Sequence, residues 1–399
     1  MDATTGTSSR YDGTAAAVFS EDKQQLQGET LMFQQFPKSL LLGLLAAVAV
    51  TAAPAQAQVP GASVTSSETG TMRYSGTDVA NDVRFTLAGS TFTIDDVVPI
   101  TAGTGCKAVA GDATKATCIA PRAGNKFKEF TVSPGNGNDR VVNATSSATT
   151  IAVGAPMRVN GGLGDDQLIG DVKTDDTLLG SVGNDDVRDP GGQNELEGGA
   201  GNDKVNGGSG GDLLRGNSGN DLLDGGGSDD QLDGGDGRDI IDGGPTGISV
   251  GERHDRVIYS GRSVRVDVNL TRTDASQGTP ANPSLGTPAE GDTILDVEDI
   301  VGGSGSDFLF GNAFNNTIAG GAGNDVVAGQ QGQDVLSGGD GSDLVTPSPL
   351  VGFGGVADGK VDNVDCGEPG QRDGEPGDQT FIVLSDRDVA NDCPTVVEQ

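Results

Sequence analysis

A nine-residue period constrains this chain more than any other feature. From Gly161 the sequence reads GGLGDDQLI, and from Gly198 the units GGAGNDKVN, GGSGGDLLR, GNSGNDLLD, GGGSDDQLD and GGDGRDIID follow without a gap. Units starting at Gly170, Gly180 and Asp189 are more degenerate, and the one at Gly170 carries an extra residue near Lys173. The pattern returns from Gly302 as GGSGSDFLF, GNAFNNTIA, GGAGNDVVA, GQQGQDVLS and GGDGSDLVT. A unit this short cannot bury a core of its own, so the chain is confined to architectures in which units stack on their neighbours.

Two places in the unit carry the information. The sixth is Asp in twelve of fourteen units (Asp166, Asp176, Asp185, Asp203, Asp212, Asp221, Asp230, Asp239, Asp307, Asp325, Asp334, Asp343) and Asn in two (Asn194, Asn316). The eighth is aliphatic in all fourteen, from Leu168 to Val345. Paired glycines permit positive φ and a tight turn, and the residues around the eighth place form a three-residue strand with one side chain pointing inward. Two units make one 18-residue coil, and stacked coils build parallel sheets around a thin aliphatic core.

Stacking also places Asp above Asp at the inter-strand spacing of about 4.8 Å. The composition sharpens the conflict: 58 acidic residues face 25 Lys and Arg, a net charge of −33, and 46 of the acids are Asp. Such a chain does not bind phosphate backbones or anionic lipid, so nucleic acid is excluded as a partner and cations are favoured. Without counter-ions this composition reads as disorder. A hard cation between adjacent loops resolves the repulsion, because carboxylates and backbone carbonyls of units one coil apart can supply the six to eight oxygens that Ca²⁺ takes at about 2.3–2.6 Å. Mg²⁺ wants a tighter octahedral site, and Zn²⁺ wants imidazole or thiolate, which the repeats lack.

The array closely resembles the RTX, or hemolysin-type calcium-binding, nonapeptide GGxGxDxUx, a named calcium-binding β-helix motif. Units at Gly161, Gly198, Gly207, Gly234, Gly302, Gly320 and Gly338 match it at every defined place. The resemblance implies an all-β, right-handed parallel β-roll in two repeat blocks with small β caps. It also implies calcium ligands at Gly161, Gly164, Asp166, Asp176, Gly183, Asp185, Gly198, Gly201, Asp203, Gly207, Gly210, Asp212, Gly219, Asp221, Asp230, Gly234, Gly237 and Asp239. In the second block they are Gly302, Gly305, Asp307, Gly320, Gly323, Asp325, Gly332, Asp334, Gly338, Gly341 and Asp343. Joining units one coil apart allows about seven ions in the first block and three in the second, about ten at most. Asn194, Asn316 and the insertion near Lys173 put calcium at those turns in doubt.

The flanks are less regular. From Met32 a short segment with Lys38, the run LLLGLLAAVAVTAA from Leu40 and the Ala55-Gln56-Ala57 cleavage pattern read as a secretory signal over 32–57, preceded by a polar extension, 1–31, expected to be non-native and disordered. Fourteen mostly apolar residues fall short of the roughly 20 of a membrane span, so none is expected in the mature chain. Residues 58–133 read as a β cap with a strand pair around Ala88-Gly89-Ser90. The first block covers 134–242, with Asp139 and Val141 of PGNGNDRVV already in register. Residues 243–301 are an insertion with the strand-like VIYSGRSVRVDVNL, a Pro/Gly loop and Glu298 and Ile300 in register; the second block covers 302–346 and a C-terminal cap 347–399. Four cysteines allow three connectivities, and the local pairs Cys106 with Cys118 and Cys366 with Cys393 each close a small loop, a pairing that secretion favours.

Catalysis is not expected. His254 is the only histidine, there is no HExxH or GxSxG motif and no Trp to line a glycan cleft. The reading is a secreted or extracellular calcium-binding repeat protein that folds on its ions. An adhesin or matrix protein held to cell-wall or surface components, with calcium in a structural role, is the second reading, and a calcium-dependent hydrolase the third.

Overall fold

The structure, a computed structural model, describes residues 61–119, 127–146, 155–245, 254–272 and 291–346, with the backbone of the strands Asn363–Asp365, Phe381–Leu384, Val389–Asn391 and Thr395–Glu398. The leader and its upstream extension, the loop 278–288, and Cys366 and Cys393 lie outside that set. Among the described residues there are 32 strands and no helix, hence none long and apolar enough to cross a membrane. The strands form sheets of 15, 11 and 6, almost all parallel through the repeats. This is the all-β, β-roll solenoid expected from the repeat.

Register follows the period. On one face Val159, Leu178, Leu196, Leu214 and Leu232 lie side by side. On the other, Leu168, Val187, Val205, Leu223 and Ile241 do the same. All fourteen eighth-place aliphatics are buried. Each stabilises the stack by about 1.5–3 kcal/mol relative to exposure, which a single unit could not achieve because its residue needs the coils above and below to cover it.

Two details differ from the expectation. Strands of the 11-stranded face have three residues through the repeats, but those of the 15-stranded face have six, as in Glu195–Ala200 and Leu213–Ser218. They run on through the first three places of the next unit, where Gly199 still pairs with Asn217 and Ala200 with Ser218. The glycine pair also does not act as a pair. Positive φ falls on the second and fourth places, for example Gly162 (108°) and Gly164 (125°), and the first glycine has a different task, described below.

The ends and the middle are built differently. At the N-terminal end, antiparallel strands extend both faces: Asp82–Ala88 pairs with Thr91–Asp95 across the Gly89-Ser90 turn, and parallel contacts tie Thr71–Thr77 and Asp82–Ala88 to the first coil. Here the thin aliphatic core widens into a cluster of Tyr74, Phe85, Phe92, Phe127 and Phe130, with Phe92 edge-on to Phe130 at 5.1 Å. The Cys106–Cys118 disulfide joins directly opposed residues of two antiparallel strands.

In the middle, VIYSGRSVRVDVNL does not form one long strand. It contributes to Arg256–Ile258 and to Asp267–Asn269, which lie in different sheets. The 15-stranded sheet runs unbroken past this point, because Val257 pairs with both Leu232 and Ile300. The opposite face is interrupted: Thr293–Leu295 ends the 11-stranded sheet beside Ile240–Asp242, and Asp267–Asn269 starts the 6-stranded sheet beside Phe308–Phe310.

Leu214→Ala is expected to destabilise the calcium-loaded chain by about 2–5 kcal/mol. The exposed neighbour change Leu222→Ala should stay within about 0.5 kcal/mol. Denaturant unfolding in excess calcium, followed by far-UV circular dichroism, measures both; equal effects would contradict the one-sided core.

Candidate metal centre

The sixth-place residues form three columns, one at the turns leading into each sheet. In the first, the Asp139 N–H donates to Asp166 Oδ1 (2.7 Å), Asp166 to Asp185 (2.7 Å), Asp185 to Asp203 (2.7 Å), Asp203 to Asp221 (2.8 Å), Asp221 to Asp239 (2.9 Å) and Asp239 to Asp292 (3.0 Å). In the second, Asp176, Asn194, Asp212, Asp230, Asp255 and Glu298 are linked the same way, and Asn316 donates to Asp334 further on. The third runs from Val266 through Asp307 and Asp325 to Asp343, at 2.8 Å each. Every link spans one coil.

That bond uses one carboxylate oxygen. The other, Oδ2, has no hydrogen-bond donor at Asp166, Asp185, Asp203, Asp212, Asp221 and Asp325, all of which are buried. Loss of water pushes these groups up from the ordinary carboxylate range, with further lifts from neighbouring acids at several of them: Asp166, Asp212 and Asp325 to about 7, Asp185 and Asp221 to about 6, while Asp139, Asp203 and Asp307 also move upward. The N–H donors only partly oppose this.

The glycines surround these oxygens. A Cβ on first-place Gly207 would stand 2.5 Å from Asp212 Oδ2 of its own unit and 2.6 Å from the carbonyl oxygen of Gly225, one coil on. Gly161, Gly198, Gly234, Gly320 and Gly338 would likewise strike their own Asp166, Asp203, Asp239, Asp325 and Asp343, and Gly302 would crowd Asp307. The fourth-place Gly164, Gly183, Gly201, Gly210, Gly219, Gly237, Gly323, Gly332 and Gly341 have positive φ, and each faces the carbonyl of the fourth-place residue one coil back. Gly305 is the exception: its φ is not positive and its neighbours are Val264 and Arg265.

The donor set is therefore oxygen only. Unsatisfied carboxylate oxygens lie beside backbone carbonyls, in space that any side chain would fill. Among the described residues no three acidic, imidazole or thiol side chains converge on one point, so a cation here must draw much of its shell from carbonyls. That suits calcium and not zinc.

Several turns depart from this pattern. Asp307 has both oxygens engaged, Oδ1 by Val266 N–H and Oδ2 by Gly303 N–H at 2.8 Å. Asn316 turns its amide into the cradle, donating to the Glu298 carbonyl at 2.7 Å and to Asn312 Oδ1 at 3.0 Å. Asp292 Oδ2 accepts the Tyr259 hydroxyl at 2.8 Å, so a protein donor stands at that column end. His254 is half-exposed, with Nδ1 3.4 Å from an Asp299 carboxylate that also pairs with Arg256.

Sequence reasoning missed Asp255 and Asp292 because their units lack the glycines. The surviving signal is Asp two residues before a buried aliphatic, as in Asp255 with Val257 and Asp292 with Ile294. It also missed an outer ladder at the fifth place. Asp165, Asn184, Asn202 and Arg238 donate their N–H to the side-chain oxygens of Asn138, Asp165, Asn184 and Asn220 respectively, one coil back, the reverse sense to the inner columns. The recurrence of Asn and Asp at that place was its trace.

Residues 179–214, 191–223, 215–245, 297–313, 301–336 and 310–345 match the family model described as RTX calcium-binding nonapeptide repeat (4 copies). The chain carries RTX calcium-binding repeats. Among curated proteins none matches it. The RTX match begins at the last residue of the unit at Gly170, the one with the extra residue, and resumes at 297, where Glu298 rejoins the register.

A carboxyl whose folded pKa is raised favours the folded state when protonated. Its contribution is complete below the ordinary value of 3.8 and is lost as pH rises through about 6–7. In chelator the β signal is therefore expected to grow as pH falls from 8 towards 5. The half-saturating calcium concentration should rise over the same interval, because protons and cations compete for the same oxygens. Circular dichroism across pH with and without chelator checks this; a chelated chain that loses structure on mild acidification would contradict it.

Proposed function

We propose that this protein is a secreted, extracellular calcium-binding protein whose β-roll becomes ordered as calcium enters between successive coils. The row of buried, unpartnered Oδ2 atoms beside carbonyl-lined glycine cradles carries the reading. The ligands are the sixth-place carboxylates, such as Asp166, Asp185, Asp203, Asp212, Asp221, Asp230, Asp239, Asp325, Asp334 and Asp343, with carbonyls of the first- and fourth-place residues around them. When bound, the ion supplies positive charge where the fold has gathered negative charge. The chain's own residues hold the carboxylates in register through the coil-to-coil N–H bonds and exclude water through the eighth-place aliphatics.

The upper figure of about ten ions falls by the turns whose oxygens the protein satisfies itself. Asp307 and Asn316 are the plainest of these. Affinity in the roughly 10⁻⁴ to 10⁻³ M range of extracellular calcium modules fits sites that share carboxylates with their neighbours. The signal-like segment 32–57 supports export, and millimolar calcium outside the cell would make export and folding one sequence of events. The boundaries proposed for the parts remain those of the sequence: a cap over 58–133, repeats over 134–242 and 302–346, an insertion over 243–301 and a tail over 347–399.

Calcium titration of the purified chain, followed by circular dichroism and calorimetry, is the test. The β signal should appear cooperatively with calcium and vanish with chelator at neutral pH. Asp212→Ala combined with Asp230→Ala, two neighbours in one column, should shift the midpoint to higher calcium by tenfold or more, and Asp340→Ala on the outer surface should leave it in place. A chain equally ordered in excess chelator at pH 8 would refute the proposal.

A further inference from the structure

The unit at Asp189 reads DPGGQNELE. The acid that other units carry at the sixth place stands at the first, and the sixth place holds Asn194. Its backbone is ordinary for the first place: Gly170 N–H donates to the Arg188 carbonyl and Asp189 N–H to that of Asn206, each at 3.0 Å, continuing the ladder. Its side chain is not ordinary. Where other first places must be bare to make room, Asp189 carries a fully buried carboxylate.

That carboxylate points back along the column. A Cβ on Gly170 would collide with it and would lie 2.9 Å from Asp176 Oδ2, so the two acids face each other at the Gly170 backbone. Asp189 Oδ1 accepts the Gly191 N–H at 3.1 Å, and Oδ2 has no donor. Asp176 Oδ1 accepts the Met157 N–H at 2.9 Å, and its Oδ2 lies 3.3 Å from Asp171 N–H and 3.4 Å from Asn143 Nδ2. Asp171 beside them is held by Thr145 Oγ1 (3.0 Å) and Ser146 Oγ (2.6 Å), so the loop wall is fixed by hydroxyls.

We propose that Asp176 and Asp189 form a calcium site of a second kind, with two facing carboxylates, that closes the gap left in its column by Asn194. The inference rests on the calcium-binding reading above. Two carboxylates facing one cradle give this site more ligand charge than a regular turn, and more charge means tighter binding. This site is expected to fill first. Asn316 marks the contrast: its unit begins with Gly311, carries no transposed acid, and its own amide occupies the cradle.

The experiment counts ions on the purified full chain by native mass spectrometry and resolves the tight phase by calorimetric calcium titration. Asp189→Asn should bind one calcium fewer than wild type and lose the tightest phase. The double variant D189G/N194D, which returns the acid to the sixth place, should restore the count without the tight phase. An unchanged count and tight phase in Asp189→Asn would overturn the site and leave the facing acids as a pair that shares a proton. If Asp189→Asn does not fold in excess calcium, D189G is compared with wild type: one ion fewer together with loss of the tight phase supports the site, and an equal count overturns it. A wild-type chain that takes up no calcium overturns the parent reading as well, whereas an unchanged Asp189→Asn in a calcium-binding chain overturns this inference alone.

Discussion

The interaction on which the structure depends is the buried carboxylate shared by two coils. One oxygen of each sixth-place aspartate caps a backbone N–H of the coil before it, which fixes the stacking distance and the register. At Asp166, Asp185, Asp203, Asp212, Asp221 and Asp325 the other oxygen is left in a dry cradle without a donor. An unpaired buried charge is costly, so the geometry that makes the stack regular also gathers charge that a positive ion or a proton would relieve. The aliphatic core of the repeats is one eighth-place residue wide per strand.

The same constraint explains the glycines. The first is bare because the carboxylate of its own unit needs the space, as at Gly207 and Asp212, and the fourth takes a positive φ where it lies against the fourth-place carbonyl one coil back, as at Gly201 and Gly219. Asp189 shows the rule from the other side: an acid can stand at the first place when the sixth gives up its charge.

Where the column ends, the chain supplies its own donors. The Asn81 side-chain amide reaches Asp139 Oδ1 and the carbonyls of Val79 and Pro134 at the N-terminal end, and Tyr259 meets Asp292 at the other. The aromatic cluster of the cap, with Phe92 and Phe130 in contact and Cys106 joined to Cys118, gives the N-terminal end a core that no repeat possesses. A solenoid whose repeats are lined with buried acids thus finishes on hydrogen bonds and packing.

The amino-acid order alone determined the period, the buried aliphatics from Leu168 to Val345, the acidic columns and the oxygen-only chemistry, because each follows from residue type at fixed spacing. It could not show that Asp255 and Asp292 continue those columns, since the glycines that mark a unit are missing there. Nor could it show that Asp189 reaches back to Asp176, or that the insertion interrupts one face and leaves the other whole. These depend on which residues the 18-residue stacking brings together, and contacts between coils exist only once the coils are formed.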